Sequence, residues 1–240
     1  LYISDAPFKL PTAETFSGLQ NYIDGLSKTG FLSAFGWSIF ITFFSTIVIV
    51  LFTAMTGWYI TRSKTKVSTS LYFIFVFSMI VPFQMVMFTM SKVANMLNLD
   101  NPVGLIVLYI GFGAGLSIFM FSGFVKSIPI DIEEAALIDG CNPIKTFFLI
   151  VLPLLKPICI TVAILNVMWI WNDYLLPSLV LKSDYKTIPM AVQYLRGGYG
   201  AIDMGAMMAV LVLAIIPIII FYLTCQKYII EGVAAGAVKG

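Results

Sequence analysis

Glu133–Pro157, EEAALIDGCNPIKTFFLIVLPLLKP, is the long polar interruption of this chain that carries helix signals instead of loop signals. Asp131, just ahead of it, can cap a helix, with Glu134 three residues on to reach back to its backbone N–H. Ala135, Ala136 and Leu137 are good helix formers, and Gly140 stands where a left-handed stop belongs. Asn142–Pro143 opens a second short helix, a cap followed by proline in the first turn. That helix runs apolar through Thr146, Phe147, Phe148 and Ile150 until Pro153 breaks or kinks it. The stretch is predicted as two short helices hinged at Gly140 and lying between two membrane spans.

The rest of the chain supplies those spans. Of 240 residues, 60% are hydrophobic and only 11% charged, with mean hydropathy +0.97. A soluble domain carries about 25% charged residues, so this is a polytopic membrane protein. A net charge of +2 points to no nucleic acid, and the absence of histidine removes His-based catalysis, His-built zinc sites and His proton relays. Cys141, Cys159 and Cys225 share no metal-ligand spacing. There is no GxxxxGK[ST] phosphate loop and no nucleophile–base pair, so no catalytic residue, metal site or cofactor is expected.

Residues 1–31 are polar and read as an extracytoplasmic lead-in, ending in a short interfacial helix around Leu19–Leu26. Residues 32–240 form the transmembrane domain, with apolar segments at about 33–60, 70–91, 103–125, 155–177 and 205–227. Each approaches the roughly 20 residues that cross a bilayer. Arg62, Lys64 and Lys66 crowd the first turn between spans, which the positive-inside rule places in the cytoplasm. Alternation from there puts the Glu133–Pro157 stretch and the C-terminus inside and the loop 178–204 outside. In the third span, Gly111 and Gly115 stand at GxxxG spacing, with Gly123 beyond, which reads as close helix packing. The same is expected of Gly205 with Ala209 in the fifth.

Small residues on one face of a cytoplasmic helix pair suit docking into a partner's groove, and Glu134 and Asp139 offer charge to basic groups there. These residues also carry a family resemblance. Glu134, Ala135, Ala136, Asp139 and Gly140, continued by Phe147, Leu152, Pro153 and Pro157, resemble the coupling-loop signature of ABC-importer permease subunits. The ending EGVAAGAVKG looks like that of the carbohydrate branch, maltose-type or oligosaccharide, and the resemblance covers roughly residues 35–240.

It implies an all-α helical bundle of the ABC type I importer permease kind, in a bacterial or archaeal cytoplasmic membrane. It further implies a coupling loop over about 128–153 in which Glu133, Glu134, Ala135, Ala136, Leu137, Asp139, Gly140, Phe147 and Pro153 meet an ATPase. The implied partners are a second homologous permease subunit, two cytoplasmic ATPase subunits, an extracytoplasmic sugar-binding protein and membrane lipid. The family has a further span ahead of the first one here; a true five-span protein is the alternative.

Several polar residues within or beside the spans are candidates for a sugar pathway. Pro82 and Gln84 interrupt the second span, and Gln84 could line a solute path or bond a neighbouring helix. Asn166, Trp169 and Asp173 recur at i, i+3 and i+7 and share one helical face. The triplet Trp171–Asn172–Asp173 resembles one that recurs in carbohydrate permeases. An interfacial aromatic belt and a carboxylate at the water boundary are the competing readings. Tyr194, Arg196, Gly197, Gly198 and Tyr199 form an aromatic-tipped outer segment, which the resemblance would place against the binding protein. A self-contained secondary transporter or channel is the competing function; it would need coupling-ion ligands in the spans and would leave the Glu133–Pro157 stretch unexplained.

Overall fold

The computed structural model describes residues 17–195 and 203–237, as backbone alone at Tyr194 and 228–237. In chain order its helices are α1 (Gln20–Thr29), α2 (Phe31–Ser63), α3 (Lys66–Ser78), α4 (Phe83–Met96), α5 (Pro102–Val125) and α6 (Ile130–Ile138). They continue with α7 (Pro143–Leu154), α8 (Lys156–Asn172), α9 (Leu175–Val180), α10 (Ile188–Tyr194) and α11 (Met204–Ala237). The described residues include no strand, and the all-α expectation holds.

Three helices, α2, α5 and the Met204–Lys227 part of α11, are long and apolar enough to cross a membrane. Five spans are reached only by counting two bent pairs, α3 with α4 and α7 with α8, as one span each. The second predicted span, 70–91, is therefore not a single rod. It breaks between Ser78 and Phe83 and turns by 105°. Pro82 has no N–H to extend a helix and restrains the residue before it, so the chain leaves α3 and restarts with Pro82 as the extended cap of α4. The fourth, predicted over 155–177, ends as α8 at Asn172, and the connection from there to α11 contains α9 and α10.

The bundle is held by small residues. The inward face of α2 presents Ala34, Ser38, Thr42, Ser45, Ile49, Thr53 and Gly57, and packs along α5 and α8. A Cβ on Gly57 would lie 2.8 Å from Phe121 Cβ and 3.2 Å from the Ser122 nitrogen, so the α2 and α5 backbones are in near contact. In α5 Gly104 meets the Leu99 backbone just ahead of the helix, Gly113 meets Ile49 and Asn166, and Gly115 meets Ser78 and Phe75 of α3. Gly111 and Gly123 face open space, which corrects the GxxxG pairing of Gly111 with Gly115. Gly113 and Gly115 lie about 200° apart around the helix, so α5 is approached on two opposite sides, by α2 and α8 at Gly113 and by α3 at Gly115.

At one end of the bundle α1 lies on α11. Gly25 meets Ala206 and Val210, Gly205 meets Asn21, and Ala209 is buried. Lys28 pairs with Asp203 there. The bond to Lys28, with a second from the Ala206 N–H, holds the Asp203 carboxyl below its ordinary value. At the other end Ala54, Phe121, Val125, Ile128, Phe147, Val151, Leu155 and Val162 form one apolar core joining α2, α5, α7 and α8. The predicted helix–hinge–helix sits on that core.

Candidate functional site: the helix pair at the end of the bundle

The first short helix begins differently from its sequence reading. Pro129, in extended conformation, stands at the cap position of α6, so Asp131 is not the cap. Asp131 and Glu133 instead occupy the first turn, where exposed N–H groups and the helix dipole favour carboxylates. The helix ends as expected from Gly140, whose φ is +83°. The Cys141 N–H reaches back to the Ala136 carbonyl at 2.9 Å and the Gly140 N–H to the Leu137 carbonyl at 3.1 Å. These are the paired 6→1 and 5→2 bonds of a Schellman stop.

Asn142 then caps α7, its side-chain oxygen accepting the Lys145 N–H at 2.8 Å with Pro143 in the first turn. Phe147–Val151 is a π-helical turn, with the Leu152 N–H bonded to the Phe147 carbonyl. Pro153 follows directly. A proline crowds the carbonyl four residues back, and the wider π turn relieves that crowding without ending the helix. The break comes two residues later at Leu155, where α7 and α8 meet at 78° and Pro157 starts the new helix. So Pro153 does not itself stop the helix.

The pair has an inner and an outer face. Glu133, only 6% exposed, points into the bundle, and Ala136 and Phe147 are buried beside it. Both carboxylate oxygens of Glu133 are used. Oε1 accepts from Arg62 Nε at 2.9 Å and Nη2 at 2.7 Å, and Oε2 accepts from Trp58 Nε1 at 2.9 Å. Arg62 Nη2 also donates to the Ile128 carbonyl at 2.8 Å, and the Trp58 ring lies 5.6 Å from that of Phe147. A carboxylate withdrawn from water needs this degree of pairing. The outer face carries Glu134, Ala135, Leu137 and Asp139, with Ile138 86% exposed at its tip, and Ile144 and Leu149 exposed on α7. Of the two alanines expected against a partner, Ala135 is exposed and Ala136 is turned inward.

The candidate sugar residues separate into two groups. Asn166, Trp169 and Asp173 do share a face of α8, and that face is applied to α5. Asn166 Nδ2 donates to Ser117 Oγ at 3.3 Å and to the Val162 carbonyl at 2.8 Å, and Trp169 meets Tyr109 edge to face at 5.3 Å. The Tyr109 hydroxyl donates to Asp173 Oδ2 at 3.0 Å, while Asp173 Oδ1 accepts the Leu175 N–H at 2.9 Å. Asp173 thus ends α8 and starts α9. Asn172 instead borders an open cavity of about 290 Å³ between α8, α10 and α11, together with Trp171, Tyr174 and Gln193. Gln84 is exposed on α4. Tyr194 closes α10, and Arg196, Gly197, Gly198 and Tyr199 lie outside the described residues.

Asp173 gives a test of these two groups. Asp173→Ala removes the acceptor of the Leu175 N–H and of the Tyr109 hydroxyl, so it is expected to lower stability by about 1–2 kcal/mol. Thermal unfolding in detergent would register this; unchanged melting with weakened sugar uptake would make Asp173 a solute ligand instead.

Sequence reading missed Trp58, Arg62 as an ion-pair partner, Tyr109 and Tyr174. In the sequence Arg62 stands out only as one of three cations in the turn after the first span. Its pairing with Glu133 spans 71 residues, a separation over which no local pattern reports.

The structure is an apolar helical bundle bearing a hinged helix pair at one end. The family described as "Binding-protein-dependent transport system inner membrane component" matches residues 49–234, and the chain belongs to it. The chain is 40% identical to the probable starch degradation products transport system permease protein AmyC of Thermoanaerobacterium thermosulfurigenes, covering 92% of this chain and 81% of that one. It is 37% identical to the multiple sugar-binding transport system permease protein MsmG of Streptococcus mutans, with the same coverage, 92% and 81%. Its fold superposes with a TM-score of 0.74 on a chain of a bacterial ABC transporter that imports the acidic polysaccharide alginate, at 24% identity, covering 87% of this chain and 78% of that one. The chain is a transport permease of the membrane, and the self-contained secondary transporter is not favoured.

Proposed function

We propose that this chain is one permease subunit of an ATP-driven importer of sugars in a bacterial or archaeal cytoplasmic membrane. It forms half of the translocation pathway, and the pair α6–α7 couples that pathway to ATP hydrolysis on a separate subunit. The single observation that carries this reading is the two-faced build of α6–α7. One face is welded to the bundle through Glu133 and Phe147, and the other offers Ile138, Leu137 and Ile144 between the carboxylates of Glu134 and Asp139. An aliphatic tip of this kind suits a greasy pocket rimmed by basic groups on an ATPase.

The assembly that fits has this chain beside a second, homologous permease. Two ATPase subunits sit at the α6–α7 end and a sugar-binding protein at the other, with the C-terminus on the ATPase side. The sugar class is supported by relatives named for starch degradation products and for multiple sugars. Asn172, Trp171 and Tyr174, opening into one cavity, offer an amide and aromatic faces for a sugar ring, with Trp169 and Gln84 as further exposed candidates. Asn166 and Asp173 shape the helix that presents them. Tyr194, Arg196, Gly197, Gly198 and Tyr199 remain the proposed contact with the binding protein.

Co-purification with the cognate ATPase tests the reading. Ile138→Asp puts a charge on the exposed tip and touches nothing inside the bundle, so the bound ATPase is expected to fall about tenfold or more with the permease still membrane-inserted. Undiminished ATPase binding would remove α6–α7 from the interface.

A further inference from the structure

Covalently, the pair α6–α7 is attached to α5 through residues 126–129 and to α8 through the bend at Leu155. Non-covalently it is attached to a third element. Trp58 and Arg62 stand four residues apart near the end of α2, on one helical face, and both reach Glu133. The guanidinium also holds the Ile128 carbonyl, so it grips the segment entering α6 and the first turn of α6 together. The indole adds α7 by packing on Phe147, which is completely buried. Both helices of the pair and the segment leading into them therefore converge on one turn of α2, and α2 in turn packs closely along α5, through Gly57 one residue before Trp58.

We propose that Arg62 and Trp58 are positioning residues for transport. By clamping Glu133 they make α2 a second lever, so that force applied to α6–α7 reaches α2 as well as α8. This rests on the coupling reading above and deepens it. Aliphatic packing alone would let α6 slide against α2. Two side chains of fixed geometry place three bonds on one carboxylate, and with a fourth bond to a backbone carbonyl they fix its angle instead. Glu133 is buried and its partners Arg62 and Trp58 are partly buried, so a pull on α6 meets bonds only partly open to exchange with solvent.

The experiment compares wild type with Arg62→Gln, Glu133→Gln, the double variant and Trp58→Phe. Each is assembled with its cognate partner permease, ATPase and binding protein and reconstituted in liposomes. Sugar taken up per ATP hydrolysed is measured with maltotriose and raffinose as probes, alongside the melting temperature and the amount of assembled complex. Arg62→Gln and Glu133→Gln are each expected to lower that ratio at least about fivefold, with ATP hydrolysis continuing without sugar. The double variant should be no worse than either single one, since both act through one bond. Trp58→Phe keeps the ring against Phe147 and loses only the N–H, so a smaller fall is expected.

An unchanged ratio, with uptake and hydrolysis falling together as folded protein is lost, would overturn the proposal and leave a folding staple. Loss of assembly in all four variants would overturn it equally. A wild-type complex without sugar-stimulated hydrolysis would instead overturn the coupling reading, and the clamp with it.

Discussion

Gly140→Val is expected to reduce sugar uptake roughly tenfold or more while leaving the spans inserted. At φ +83° a β-branched residue is strained by about 1–3 kcal/mol, and 1.4 kcal/mol already shifts a population tenfold. A Cβ at Gly140 would meet nothing within 4 Å, so the penalty comes from the backbone alone and spares the bundle. This makes a graded series possible. Gly140→Asn, which tolerates the left-handed region, should retain most uptake, Gly140→Ala less, and Gly140→Val least. The Schellman bonds of Cys141 and Gly140 depend on that conformation, and losing them would re-aim α7 against α6. Uptake by intact cells, normalised to permease in the membrane, checks the series; equal uptake across it would mean that the angle between the helices does not matter.

Gly57→Leu should have the largest effect on the fold itself. The new side chain would start 2.8 Å from Phe121 Cβ and 3.2 Å from the backbone nitrogen of Ser122, neither of which can swing away. Separating α2 from α5 costs about 1–3 kcal/mol for modest overpacking, and a whole isobutyl group exceeds that case. Loss of monodisperse protein in detergent is the expected result. Gly111→Ala, in open space, should behave as wild type. A stable Gly57→Leu protein, or a Gly111→Ala protein that fails, would mean that the α2–α5 contact is not the one described.

What was legible in the sequence was local. Gly140, Asn142 and Pro143 determine their turns through their own backbone preferences and neighbours within three residues, and each appears where it was read. The apolar runs likewise gave α2, α5 and α11. The bend at Pro82 was visible as an interruption but not as a 105° turn, because its angle is set by what α4 packs upon, including the Ser91 hydroxyl on the Leu179 carbonyl. Depth along the span leaves Asp173 either a solute-pathway charge or a carboxylate at the water boundary. Its other property, an Asp two residues ahead of an apolar helix, was equally present in the sequence and is the one the structure uses. Glu133 could not be read as inward-facing, since α6 is apolar or small at several of its flanking positions and its partners lie on α2.

The central claim is that ATP hydrolysis by another subunit drives solute through this chain, and transport in liposomes tests it most directly. Maltotriose and raffinose uptake would be followed in vesicles containing the permease pair, the ATPase and the binding protein, with ATP supplied and with an imposed proton or sodium gradient alone. Uptake of at least one of these sugars is expected with ATP, none with a gradient alone, and loss of the ATP-driven uptake in Ile138→Asp. Gradient-driven uptake by this chain without the ATPase would contradict that claim.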